Sequence, residues 1–464
     1  MSLLSIKSET VPNSSALHLG TFNSEQYWRN SEFSVLPSYE DSETTAIVST
    51  MDELFFVFCT NPKDQLLTRI PMDPTHLDYL RLLGYNISNN QLPIYESVSN
   101  ENSIPTDSVC SLLVCSKHKL YFNQMIKQVS CVSPYSILPS YSIFCHDYDI
   151  KGQIPSLESV RMVNSKIYSH KLRTCLCDCS VGQIVKSANE MNSVGHRLLS
   201  QSPFLIKDAY GVSGKGILLV DKESILSRIV AYLIRQEKKG RQTQFLLEPL
   251  LNKFLDFSCQ FEIHQSGDIS ILSIHQMDNT VFSFSGIHPA STHLQYKLED
   301  QGYFTLIDNI AKQIYKDGYF GHICLDSMIL YDGTIIPIVE INARKSMGLI
   351  SYYLNRYLSQ FSTTGKLITV DIVFSKKVTF YEFLHRIKKL KILFEPNYPY
   401  GFLPLSANTL QINNRNNDVN TGDDRFRGRL YGTIVTRIPQ DYRYIQNAFK
   451  NELTKLGAII LRGL

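Results

Sequence analysis

The 464-residue chain has no uninterrupted apolar run near the ~20 residues that a membrane-spanning helix requires, so no membrane partner is expected. Its first residues, MSLLSIKSETVPNSS, lack a basic segment followed by an apolar stretch and a small-residue cleavage site. A cytoplasmic setting is the resulting expectation. Charge of one sign is also missing. The 46 Lys and Arg nearly balance 43 Asp and Glu, which gives no basic footprint for nucleic acid. The ten cysteines are scattered, and the one cluster, Cys175, Cys177 and Cys179, alternates instead of leaving two-residue gaps beside a second ligand pair. Reduced thiols in or beside a helix are expected there. No internal repeat and no biotin-attachment segment is present, since neither Met328 nor Met347 has a lysine beside it.

What is there is enough apolar surface, 43% of residues, for real cores. The length predicts about three domains of roughly 100–200 residues each. Residues 1–44, rich in Ser, Thr, Asn and Glu, read as a flexible leader. An α/β unit is expected over 45–155, with AIVST, ELFFVFCT, SVCSLLVC and SYSIFC as strands and THLDYLRLLGY as a helix. Over 156–360 the pattern changes to strands bracketing glycine-rich turns. ESILSRIVAYLIRQEKKG and FTLIDNIAKQIYKDGY read as amphipathic helices. HICLDSMILY and TIIPIVEIN read as a hairpin closed at Asp332-Gly333. Residues 361–464 form a C-terminal α/β region containing a polar stretch, NNRNNDVNTGDDRFRG, expected to be a mobile loop.

Three segments carry chemistry. The first is Lys207-Asp208-Ala209-Tyr210-Gly211-Val212-Ser213-Gly214-Lys215-Gly216, between two expected strands. Its glycines let backbone N–H groups approach a polyphosphate, and Lys207 supplies a point charge to the same phosphates. It is not a Walker loop, because Lys215 is followed by glycine and a strand comes next. Alone, an ordinary hairpin turn explains it equally well. The second segment is Glu248-Pro249-Leu250-Leu251, which can offer backbone groups and apolar side chains to an adenine, with Asp256 placed for ribose hydroxyls. The third is Asp326 facing Glu340-Ile341-Asn342-Ala343-Arg344. Alternation puts Glu340, Asn342 and Arg344 on one face, an oxygen-rich set suited to Mg²⁺ when phosphates complete the octahedron.

These segments resemble the ATP-grasp superfamily, and the form EINAR with Asn164-Ser165-Lys166 is most similar to its peptide and L-amino-acid ligases. The resemblance covers about 160–350 well and the C-terminal hundred residues thinly. It implies an α/β ATP-grasp fold with an N-terminal α/β domain and a C-terminal α/β extension. It implies ATP held by Lys166, Lys207, Gly211, Ser213, Gly214, Gly216, Glu248, Pro249, Leu251 and Asp256, and Mg²⁺, with Mn²⁺ as a substitute, on Asp326, Glu340 and Asn342. Lys207 and Arg344 are the implied catalytic residues, and Arg344 would clamp the substrate carboxylate or stabilise an oxyanion. His275 and Gln276 are candidates for the acceptor pocket. D-alanine ligases carry an arginine two positions before the first metal acid, where this chain has Cys324, and Pro249 replaces a common hinge lysine.

The implied activity is an ADP-producing ligase. A carboxylate attacks the γ-phosphate to give an acyl phosphate, and an amine displaces phosphate to give an amide. The donor is left open between a free amino acid, a peptide and an acyl group on a carrier protein, as in specialised metabolite or peptide biosynthesis. Dimers are common among similar proteins. A carboxylase, a kinase-like member and a non-catalytic nucleotide-binding regulator are the alternatives.

Overall fold

The computed structural model describes residues 14–37, 41–95, 105–177, 181–211, 216–280, 283–415, 425–438 and 440–463. Three sheets organise them. The first is parallel, in the order β3-β2-β1-β4, from β1 (Ala16–Leu19), β2 (Gln65–Leu66), β3 (Ser88–Asn89) and β4 (Cys131–Pro134). Leu17 and Leu19 point into a core with Val109, Leu113 and Phe122. His18, by alternation on the other face, meets Phe58.

The second sheet is antiparallel, in the order β5-β8-β6-β7, from β5 (Gln183–Val185), β6 (Phe204–Asp208), β7 (Ile217–Val220) and β8 (Phe245–Pro249). The helices Ala188–Leu199 and Glu223–Glu237 pack on it through Met191, Leu226 and Leu233.

The third sheet has nine strands: β9 (Lys253–Ile263), β10 (Ile269–Thr280), β11 (Ser283–Pro289), β12 (Gly321–Leu330), β13 (Ile335–Asn342), β14 (Thr364–Phe374), β15 (Gly401–Pro404), β16 (Phe426–Thr436) and β17 (Ala458–Arg462). The order is β13-β12-β9-β10-β11-β14-β16-β15, with β17 also on β14. Along β9, Phe257, Cys259 and Phe261 face a core completed by Leu325, Ile341 and the helix Tyr303–Lys316. The residues between them, Ser258 and Gln260, face the opposite way, beside Asp326 and Cys324 of β12. One face of this half of the sheet is therefore apolar and the other polar, which is where a site can form.

The mixed α/β architecture agrees with the sequence reading, and several local assignments do not. The expected leader of residues 1–44 is wrong over 14–37, where β1 sits between β2 and β4. Four residues are too short to show periodicity, and β1 is stabilised by partners about 50 and 115 positions away in sequence, as in Leu17 with Gln65 and Val132. AIVST, ELFFVFCT, SVCSLLVC and SYSIFC fall mainly in the helices Ser42–Ser49, Met51–Phe58 (a 3₁₀ helix), Val109–Cys115 and Tyr141–Asp147. An unbroken apolar run does not distinguish a strand from a buried helix. Capping does, and Asp41 and Ser108 accept from Thr44 and Ser111 backbone N–H groups. Position 360 is not a break in the third sheet, because β14 pairs with β11 across it. Most of the polar stretch around 416–424 lies outside the described residues, as do Cys179, Ser213 and Gly214. Cys175 and Cys177 lie on the helix Lys166–Cys177.

Candidate active site

The polar face of β12 and β13 meets the second sheet and the start of the helix Lys166–Cys177. In register, Asp326 lies opposite Glu340 and Cys324 opposite Asn342. That helix is fastened to β13 from its side. Asn164 accepts from the Ala343 N–H at 2.9 Å, Ser169 Oγ accepts from the Ile341 N–H at 3.1 Å, and Arg173 donates to the Ile338 carbonyl at 2.8 Å. Lys166 is thereby fixed at the first turn. Its Nζ donates to Glu340 Oε1 at 2.5 Å and to the Gly211 carbonyl at 2.8 Å. One buried side chain joins the helix, the acidic hairpin and the glycine turn.

On the second sheet, Lys207 donates to Glu248 Oε2 and Arg173 to Glu248 Oε1, both at 2.5 Å. Burial alone would raise the Glu248 pKa, but the two cations outweigh it and hold the carboxylate below its usual range. Asp208 is pushed up to about 6 by burial, against the pull of Arg29. It accepts from the Leu36 N–H at 3.2 Å and lies under Gly216, whose φ is +81°. A Cβ there would stand 2.9 Å from Asp208 Oδ2, so glycine is required for conformation and for space.

Among the described residues, Asp326 has no basic hydrogen-bond partner. Asn342 Nδ2 donates to its Oδ2 at 3.1 Å and the Cys324 thiol to its Oδ1 at 3.4 Å. Burial first, then the facing Glu340 carboxylate, pushes its pKa up to about 7. A divalent cation would relieve this. No group of three or more His, Cys, Asp or Glu suited to a metal occurs among the described residues, so a cation here would use two carboxylates and oxygens from outside the chain, the Asn342 amide oxygen being turned to Arg344. That suits Mg²⁺, which keeps several non-protein ligands, better than Zn²⁺. The two lysines, each resting on a carboxylate, suit an incoming phosphate.

Not every expected site residue is open to a ligand. His275 is 1% exposed, held by Ser273, and burial lowers its pKa to about 3. Gln276, the next residue along β10, points to the other face, so the two cannot line one pocket. The Arg344 guanidinium is enclosed by Glu25, Tyr135, Asn342 and the Lys345 carbonyl. It is not an open clamp as it stands. Asp256 accepts from Lys253 at 2.5 Å and Asn279 at 2.7 Å through the same oxygen. In the 248–251 stretch, Pro249 has no N–H and the Leu250 N–H is bound to the Pro203 carbonyl. A backbone donor to a base must therefore come from Leu251 onward. Arg173 and Glu25 were missed. Arg173 lies seven residues after Lys166 and so on the same helix face, a readable signal, whereas nothing in the sequence marked Glu25.

Comparison with solved structures gives N5-carboxyaminoimidazole synthase from Aspergillus clavatus, in complex with ADP and 5-aminoimidazole ribonucleotide (TM-score 0.52, 10% identity, 95% of this chain and 99% of that one). It also gives biotin carboxylase from Campylobacter jejuni in a β-γ-ATP complex (TM-score 0.51, 14% identity, 97% and 92%). The fold is ATP-grasp. In sequence, the chain is 22% identical over 339 residues to the [butirosin acyl-carrier protein]–L-glutamate ligase of Niallia circulans, covering 70% of each. No family model matches. No helix among the described residues is long and apolar enough to cross a membrane.

Proposed function

We propose that the chain is an ATP-dependent carboxylate–amine ligase that forms an amide through an acyl phosphate and takes an amino acid or peptide, with a carrier-bound acyl group as one form of the donor. The observation that carries this reading is Lys166, which bridges Glu340 and the glycine turn at Gly211. The similarity to a carrier-protein–glutamate ligase supports the substrate class.

In this reading Lys166 and Lys207 leave their carboxylates for the nucleotide phosphates, and Glu340, released by Lys166, can take Mg²⁺ together with Asp326. Bound there, Mg²⁺ supplies charge neutralisation to the transferring phosphoryl group. Arg173 keeps Glu248 paired while Lys207 is engaged elsewhere, so the exchange leaves no buried charge alone. Backbone at Gly211 and Gly216, which lie between β6 and β7, approaches the phosphates. The stretch Glu248–Leu251 holds the adenine through backbone groups past Pro249, with Asp256 at the ribose.

The test is ADP release over pairs of amino acids, short peptides and a loaded carrier protein, followed by mass spectrometry of products. ADP and an amide product are expected only when carboxylate and amine are both present. Bicarbonate-dependent ADP release would favour a carboxylase. ATP binding without turnover under every pairing would leave a nucleotide-binding regulator.

A further inference from the structure

Arg344 is 8% exposed, and each of its five N–H groups has a partner. Nε and Nη2 donate to Glu25 Oε1 at 3.0 and 2.6 Å. Nη2 also donates to Asn342 Oδ1 at 3.0 Å, and Nη1 donates to the Tyr135 hydroxyl at 3.1 Å and the Lys345 carbonyl at 3.0 Å. A guanidinium cannot accept a hydrogen bond, so Asn342 must turn its oxygen toward Arg344 and its nitrogen toward Asp326, to which that nitrogen donates at 3.1 Å. The result is a directed chain, Glu25 to Arg344 to Asn342 to Asp326. It begins in the N-terminal segment and ends on the first acid of the hairpin.

We propose that Glu25 and Arg344 are positioning residues for the cation site: Glu25 fixes Arg344, Arg344 fixes the Asn342 amide, and that amide holds Asp326 facing Glu340. The inference rests on the reading that Asp326 and Glu340 take a divalent cation. It goes further in assigning Arg344 to the metal acid instead of to a substrate carboxylate. The physical need is plain. Two carboxylates opposite one another on neighbouring strands repel. An oriented amide donor keeps Asp326 from rotating away before a cation arrives. Glu25 supplies the counter-charge that makes the buried guanidinium tolerable, and its second oxygen, Oε2, has no hydrogen-bond partner among the described residues.

The experiment measures Mn²⁺ binding in the presence of saturating ADP by the loss of the free-ion electron paramagnetic resonance signal, a readout independent of turnover. The proteins are the full-length chain, Glu25→Gln, Arg344→Met and the double variant Glu25→Gln/Arg344→Met. Removing an outer partner of a metal ligand typically weakens metal affinity about 10–100-fold, and that loss is expected in all three variants. Arg344→Met alone strands the Glu25 carboxylate and should lower the urea midpoint, while the double variant removes both charges and should recover it. A double variant that recovers stability and binds Mn²⁺ as the parent does would make the pair a structural strut and overturn the proposal. Unchanged Mn²⁺ affinity in every variant, with only the carboxylate KM raised, would return Arg344 to the substrate site and also overturn it. If the parent with ADP binds no more Mn²⁺ than ADP alone does, the cation reading itself fails.

Discussion

Replacing Lys166 by methionine removes a contact that ties Gly211, at the start of the glycine turn, to the acidic hairpin. The side chain keeps an unbranched apolar stem one atom shorter, and its hydrogen bonds to Glu340 Oε1 and the Gly211 carbonyl are lost. Glu340 is 23% exposed at its side chain, so water compensates part of the loss. The cost to the nucleotide-free fold should be about 1–2 kcal/mol, below the ~3–5 kcal/mol of a fully buried broken pair. The effect on nucleotide should be larger. A hydrogen bond to a charged group contributes about 1.5–3 kcal/mol, which is roughly 10–150-fold in affinity. From this we subtract the cost of taking Lys166 off Glu340, which the parent protein bears and the variant does not. A loss of about 10–50-fold in ADP·Mg²⁺ affinity is the expected outcome. Isothermal titration calorimetry with ADP and Mg²⁺ measures it, and urea denaturation shows that the variant is folded. A folded Lys166→Met protein that binds ADP·Mg²⁺ within about threefold of the parent, a difference under about 0.7 kcal/mol, would refute the assignment of Lys166 to the phosphates.

Asp326→Asn should abolish Mn²⁺ binding yet stabilise the metal-free protein. With a folded pKa of about 7 against an ordinary 3.8, ionised Asp326 lowers stability as pH rises through that window, so the asparagine variant should gain about 1–3 kcal/mol above it in urea denaturation; a loss of stability there would contradict the raised pKa. His18 has the opposite sign. Burial, reinforced by Lys345 against Asp64, lowers its pKa from 6.5 to about 4. The unfolded chain takes up a proton that folded His18 refuses, so stability falls as pH drops through that window, by up to about 3 kcal/mol. His18→Gln should flatten this part of the pH profile, and an unchanged slope would show that His18 is already charged when folded. Gly216→Ala should cost about 1–2 kcal/mol for its left-handed backbone, more if the Asp208 carboxylate cannot move. A variant with the parent's urea midpoint would show that the turn is free to relax.

How much of this was legible depended on whether a signal was local. The hairpin was readable because Asp332-Gly333 closes it and alternation runs through Asp326 and from Glu340 to Asn342. The strands around Lys207 and Glu248 were bounded by turn residues and were equally plain. The helices over 42–58, 109–115 and 141–147 were misread because their apolar runs carry no alternation, so only the capping Asp41 and Ser108 could have decided between helix and strand. The enclosure of Arg344 was invisible, since Glu25 lies more than 300 positions away, in a segment whose composition suggested a leader. His275 and Gln276 illustrate a different failure. Adjacency in sequence suggested a shared pocket, although neighbours on a strand point to opposite faces.

That N-terminal segment changes how the cleft is held. After Glu25 reaches Arg344, Trp28 Nε1 donates to the Ile137 carbonyl at 2.9 Å, tying the segment to the connection after β4. Arg29 Nε then donates to the Tyr210 carbonyl at 3.0 Å, at the mouth of the glycine turn, and the Leu36 N–H donates to Asp208. Ser34 and Gln242 join backbones at 2.8 Å, and Leu36 enters the core of the second sheet. Twelve consecutive residues thus touch the acidic hairpin, the parallel sheet and the second sheet in turn. Most of these contacts are hydrogen bonds at the boundaries between units, and only Trp28 and Leu36 bury large apolar groups. Such contacts fix register at about 1 kcal/mol each, so exchanging a few of them would cost far less than unfolding a core. Under the proposed function, a cleft that takes a nucleotide and excludes water would need that combination: buried lysines held in place by their own carboxylates, and a boundary weak enough to break.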